Sequence, residues 1–110
     1  MNFVDYQDFA ARTSSFHEDN KGEDRLKMSL LGLFGEVGEL ANKAKKVMWH
    51  GHDYDPGEFV EELGDCLWYL SEIATTLDFD LETIAQTNID KLKARYPDGF
   101  LEKDSRERKG

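Results

Sequence analysis

Residues 24–48, DRLKMSLLGLFGEVGELANKAKKVM, decide the fold. Leu26, Leu30, Leu33, Val37, Leu40, Ala41, Ala44 and Val47 recur at the three- and four-residue steps of an α-helix for about seven turns. Glycines at 32, 35 and 38 break the propensity without breaking the period. Each weakens an isolated helix by roughly 1 kcal/mol relative to alanine, so they call for a reason in packing or ligand access.

Working outward, Phe3, Tyr6, Phe9, Ala10, Thr13 and Phe16 keep the same period over residues 3–16 and predict a first helix. The polar run from His17 to Gly22 predicts the loop before the long helix. After Trp49-His50-Gly51-His52-Asp53-Tyr54-Asp55 breaks the period, Asp55-Pro56-Gly57-Glu58 supplies an N-cap, a proline at the first helical position and a capping-box glutamate. Phe59, Leu63, Leu67, Leu70, Ala74 and Leu77 carry the core face of this third helix. Asp78-Phe79-Asp80 then predicts a break and a new N-cap. Ile84, Ala85, Ile89 and Leu92 form the apolar side of a fourth helix, which Tyr96-Pro97-Asp98-Gly99 ends. No alternating run bounded by hairpin turns is present, so the fold class is all-α, a four-helix bundle-like arrangement. Apolar surface on the long helix points to an oligomer. One domain over residues 1–100 and a charged tail over 101–110 exhaust the 110 residues.

Composition narrows the function. The formal charge of −9 argues against a nucleic-acid polymer as partner, because phosphate backbones are bound by clustered lysine and arginine. No apolar run approaches the roughly 20 residues of a membrane span, and the N-terminal residues show no export leader. A soluble cytoplasmic protein is expected. The single cysteine, Cys66, lies in an apolar stretch and reads as an inert buried thiol.

The information lies in where particular acids sit. Glu36-Val37-Gly38-Glu39 and Glu62-Leu63-Gly64-Asp65 each read acid-x-x-acid on a predicted helix. Acids three apart lie only about 60° apart around the axis, so each pair shares a face. Relative to Glu36, Leu30, Leu33, Val37 and Leu40 fall roughly 40–120° away; relative to Glu62, the matching stripe falls roughly 60–140° away. Both pairs therefore border the core stripe on the same side and converge if the stripes pack together. Converging carboxylates repel unless protonated or neutralised by a cation, and oxygen-only ligands favour Mg²⁺ or Mn²⁺. Lys43 and Lys46 follow on the same stripe, where they can meet phosphate oxygens; equally, Glu39 and Lys43 can form an ordinary four-residue ion pair.

Gly35-Glu36-Val37-Gly38-Glu39-Leu40, then Glu61-Glu62-Leu63-Gly64-Asp65-Cys66-Leu67-Trp68-Tyr69-Leu70, then Asn88-Ile89-Asp90-Lys91-Leu92-Lys93-Ala94-Arg95-Tyr96-Pro97, resemble the MazG-like members of the all-α nucleoside triphosphate pyrophosphohydrolase superfamily. The resemblance covers about residues 3–100. It implies that Glu36, Glu39, Glu62 and Asp65 coordinate Mg²⁺, or Mn²⁺ in its place, and catalyse cleavage of a nucleoside triphosphate to monophosphate and pyrophosphate, one carboxylate serving as general base. It further implies phosphate or sugar contacts from Asn88, Lys91, Arg95 and Tyr96, base contacts from Trp49 and Tyr69, and assembly as a homodimer or homotetramer. Two rivals stand beside it. A di-iron carboxylate bundle normally needs Glu-x-x-His pairs, which are missing here; a non-enzymatic regulatory helical module would bind a metal or a partner through the acidic face.

Overall fold

The computed structural model describes residues 1–16 and 22–100. Four helices follow in order: α1 (Phe3–Arg12), α2 (Gly22–Trp49), α3 (Pro56–Thr76) and α4 (Leu81–Arg95). The described residues contain no strand, only an isolated bridge between Pro97 and Gly99, so the all-α expectation holds. The expected loop lies outside the described residues apart from Gly22, which opens α2, and the charged tail lies wholly outside them.

The helix ends show where local chemistry decides and where it does not. α1 stops at Arg12 rather than Phe16 because the next residues bond elsewhere. Thr13 Oγ1 donates to the Ala10 carbonyl at 2.7 Å, and Ser14 Oγ donates to Glu72 Oε2 on α3 at 2.6 Å. Hydroxyls that find such partners compete with helix continuation. At the start of α3, Asp55 Oδ1 accepts the Gly57 N–H at 2.9 Å with Pro56 in the first position. Glu58, expected to reach back in a capping box, instead lies 3.8 Å from Lys43 Nζ on α2. That contact also replaces the expected Glu39–Lys43 pair. α3 ends with Asp78 in the left-handed region (φ 61°) and with Phe79 and Asp78 N–H groups donating to the Ala74 and Thr75 carbonyls at 2.8 and 3.1 Å. This pattern satisfies carbonyls that a helix end would otherwise leave open.

α4 begins differently from expectation. Asp80 occupies the N-cap position but makes no side-chain cap bond. Gln7 on α1 provides it: Oε1 accepts the Leu81 N–H at 2.7 Å, while Nε2 donates to the Phe79 carbonyl at 2.9 Å and to Thr75 Oγ1 at 3.1 Å. One side chain from a distant helix thus holds the α3–α4 corner.

α2 and α3 form the principal seam, α1 lies on α3, and α4 rests chiefly on α1. The α2–α3 contacts run antiparallel, from Arg25–Glu72 at one end to Lys43–Glu58 at the other. The buried apolar residues are Ala10, Cys66, Ala74 and Leu81, whereas Ser14, Arg25, Ser29, Ser71 and Glu72 are buried polar ones. Arg25 Nη2 and Nε meet Glu72 Oε1 and Oε2 at 2.8 and 3.2 Å, with the two side chains 4% and 3% exposed. The apolar stripes expected to be core are only partly covered in the single chain: Leu26, Leu33, Leu40, Val47, Phe59 and Leu67 are half-buried and Ala74 is buried, whereas Leu30, Val37, Leu63, Leu70, Leu77, Ile84, Ile89 and Leu92 are exposed; beside them Leu31 and Phe34 reach 75% and 82%. The radius of gyration, 17.3 Å, exceeds the roughly 13 Å of a compact domain this long. One chain has too few helices around α2 to cover both sides of it.

Removing one member of a buried ion pair strands the other. Glu72→Ala is expected to destabilise the fold by about 3–5 kcal/mol, with Arg25→Met/Glu72→Leu recovering most of the loss; chemical denaturation of the three proteins checks this.

Candidate metal centre

The antiparallel α2–α3 seam brings acids from both helices to one point. Glu36, Glu62 and Asp65 each place a carboxylate oxygen within 4.8 Å of the others. Glu36 and Glu62 are half-buried and Asp65 is exposed, so the group sits at the seam's edge. Glu39, one turn beyond Glu36, is exposed and stays outside this group. Three of the four expected acids are thus brought together.

Glu62 Oε2 is buried and receives no hydrogen bond from a protein donor. The Glu36 carboxyl is held above the usual carboxylate range, first by a hydrogen bond shared with Glu62, then by partial burial, then by the charges of Asp65, Glu62 and Glu39. Two carboxyl groups share a hydrogen bond only if one is protonated. A cation between them would relieve the same crowding without the proton, and an all-oxygen donor set suits a hard divalent ion. The residues fit a metal, and Glu36, Glu62 and Asp65 are the ones that would hold it.

Beside the acids lies a cavity of about 380 Å³ lined by Thr13, Glu36, Asp65, Trp68 and Tyr69. The Tyr69 ring lies against Gly32, where an added Cβ would overlap the ring, and Trp68 meets it edge-on with centroids 5.0 Å apart at 87°. Gly32 therefore exists for close approach. Gly35, Gly38 and Gly64 face open space, and packing does not explain them.

The remaining sequence candidates sit apart. Lys43 borders a separate cavity of about 450 Å³ with Lys46, His52, Asp53 and Glu58. Trp49 is 75% exposed at the end of α2, about 20 Å along the axis from Glu36. Asn88, Lys91, Arg95 and Tyr96 belong to or follow α4, which rests on α1; Tyr96 tilts against Phe100 at 5.6 Å. The hydrogen bonds and ion pairs of the described residues join none of Asn88, Lys91 and Tyr96 to the triad.

Sequence reasoning missed α1's share. Tyr6 feels Asp65: its phenol is raised above its ordinary value by burial and then by that charge. Thr13 lines the cavity itself. Their spacing of seven, one face of a helix, was the available signal. Cys66 is buried, and burial followed by the charges of Glu36, Glu62 and Asp65 raises its thiol, as suits an inert group.

The geometry defines an all-α domain with a cluster of three carboxylates on a two-helix seam, next to an aromatic-walled cavity. Residues 25–100 match the model of the MazG nucleotide pyrophosphohydrolase domain, and the chain belongs to that family. The chain is also similar to the Gene 37 protein of Mycobacterium phage L5, 38% identical over 79 residues that cover 66% of this chain and 67% of that protein. No solved structure matches. No helix among the described residues is long and apolar enough to cross a membrane.

A carboxyl whose folded pKa is raised favours folding at low pH and withdraws that support as pH rises through the folded value. Glu36→Gln should therefore gain on the wild type in metal-free stability as pH climbs from about 4.5 toward neutrality. Addition of Mn²⁺ should stabilise the wild type and leave the variant nearly unmoved. Thermal melts across pH, with and without the ion, read both effects.

Proposed function

We propose that this protein hydrolyses nucleoside triphosphates to monophosphates and pyrophosphate, with Mg²⁺, or Mn²⁺ in its place, as cofactor. The observation that carries the reading is the triad with its donorless Glu62 Oε2, in a chain of this family. When bound, the ion would supply charge neutralisation for the phosphates and a lowered pKa for water. Glu36, Glu62 and Asp65 would hold the ion, and relief of the crowding that raises the Glu36 carboxyl would favour its binding. Glu39, exposed and outside the tight group, serves in this reading as the general base toward the attacking water.

Tyr69 stands at the same cavity as Glu36 and Asp65, where it can meet sugar or base. Lys43, Lys91 and Arg95 offset phosphate charge, and Asn88 and Tyr96 hydrogen-bond phosphate or sugar. Trp49 is too far along α2 to reach a nucleotide held by its own triad, and it serves a site completed by a second copy. The active form is accordingly a homodimer or homotetramer, in which the exposed Leu31 and Phe34 side of α2 is covered by another subunit. Nucleotide-pool control or house-cleaning in the cytoplasm is the physiological role this reading gives the protein. The rival is a helical module that binds a metal or partner without turnover.

Pyrophosphate release from ribo-, deoxyribo- and modified nucleoside triphosphates, with Mg²⁺, Mn²⁺ or EDTA, separates the two. Metal-dependent monophosphate and pyrophosphate are expected; silence across the panel establishes the module instead. Asp65→Ala and Glu62→Ala should each lower kcat/KM by about a thousandfold or more, the equivalent of several kcal/mol of charge stabilisation, with helical content by circular dichroism unchanged. Phe34→Glu should weaken self-association by at least about tenfold, the effect of a charge placed in an apolar contact; sedimentation at several concentrations measures it.

A further inference from the structure

We propose that Trp68, oriented by Thr13, is the wall that receives the nucleobase, and that it reads the base by stacking and not by its hydrogen-bonding edge. This rests on the nucleotide reading above. Trp68 and Tyr69 line the same cavity as Glu36 and Asp65, so the aromatic wall begins where the carboxylates end. With the phosphates held at the triad, the nucleoside must occupy the rest of that space. Thr13 is the one lining residue that comes from outside α2 and α3.

The polar capacity of Trp68 is already spent. The Trp68 indole Nε1–H donates to Thr13 Oγ1 at 2.8 Å, and the Thr13 hydroxyl donates in turn to the Ala10 carbonyl at 2.7 Å. Indole carries no second donor and no acceptor. What remains for a ligand is apolar ring surface, held at a fixed angle by the Thr13 bond and by the edge-on Tyr69 ring that Gly32 accommodates. Every base has a flat π-face, so a stacking wall tolerates purines and pyrimidines alike. Thr13 acts through Trp68 and is a positioning residue. The chemical class selected is a triphosphate carrying any flat heteroaromatic base.

The test compares wild type with Trp68→Leu, Trp68→Phe, Thr13→Val and Thr13→Ser. KM and kcat are measured for purine and pyrimidine nucleoside triphosphates, and inorganic tripolyphosphate serves as a base-free competitive inhibitor. Loss of base–aromatic stacking in Trp68→Leu should raise KM about tenfold or more for every base while kcat stays within about threefold. Tripolyphosphate inhibition should not move. Trp68→Phe should keep most of the binding, Thr13→Val should raise KM, and Thr13→Ser should restore it.

A purely structural role would shift nucleotides and tripolyphosphate together, and that result, or an unchanged KM in Trp68→Leu, overturns the proposal. Should Trp68→Leu fail to fold, the signal of Trp68 is read as the difference in indole fluorescence between wild type and Trp68→Phe, since the chain has two tryptophans. That signal should be quenched by Mg²⁺ and a nucleotide but not by Mg²⁺ and tripolyphosphate; equal responses again overturn the assignment. A wild type silent toward every nucleotide removes the underlying enzymatic reading, an outcome distinct from an active wild type whose Trp68 variants behave normally.

Discussion

The buried pair of Arg25 and Glu72 is the constraint on which the rest of the molecule depends. Its oxygens and nitrogens meet at 2.8 and 3.2 Å, and Ser14 adds a third bond to the same carboxylate. Three chain segments, α2, α3 and the turn after α1, are thereby fixed to one point. Apolar seams tolerate sliding, because any methyl group can replace another, whereas a buried charge pair tolerates none without stranding a charge. From that anchor the antiparallel register follows. Eleven residues up α2 and ten back along α3 lie Glu36 and Glu62, about 16 Å away by helical rise, so a pair at one end of the seam sets two acids against each other farther along.

That second juxtaposition is unfavourable by itself. A carboxylate oxygen without a donor, next to a carboxyl held above its ordinary range, is a local instability maintained by the packing around it. Enzymes and cation sites commonly keep such pre-assembled charge because a ligand of opposite sign then relaxes it on binding. Strong polar register at one end of the seam and unrelieved charge at the other are complementary: the first resists the shift of α3 that the second would otherwise drive. Tyr69 against Gly32 lies between the two ends and blocks the same sliding motion sterically.

The chain's other feature is its open side. Among the described residues, the buried interior of a single copy is small and polar, composed of alanines, a cysteine, serines and the ion pair, with Leu81 its one large apolar member. Many long aliphatic and aromatic side chains of α2, α3 and α4 are instead exposed, and others, such as Leu33, Leu40 and Leu67, are only half-buried. Hydrophobic burial is the main favourable contribution to folding, and apolar side chains left exposed forgo it. The geometry of one chain therefore places three converging acids on the α2–α3 seam and leaves many of its large apolar side chains exposed.

The helices and the acid pairs were legible in the sequence because both are local properties: a period of 3.6 marks Leu26 through Val47 as one helix, and a spacing of three puts Glu62 and Asp65 on one face. Caps set by neighbouring residues were legible for the same reason, as Asp55 shows. What the sequence could not show was partner choice across long separations. It did not reveal that Gln7 would cap α4, that Glu58 would turn to Lys43, or that Trp68 would bond Thr13, since each joins residues far apart in the chain. Nor could periodicity tell an apolar stripe covered by its own chain from one left open, because both produce the same pattern. The sequence by itself determined the helices and which acids share a face. Only the tertiary structure decided that Glu36, Glu62 and Asp65 form the tight group while Glu39 stays outside, because that depends on the angle and register of two helices, and a buried ion pair three turns away sets these.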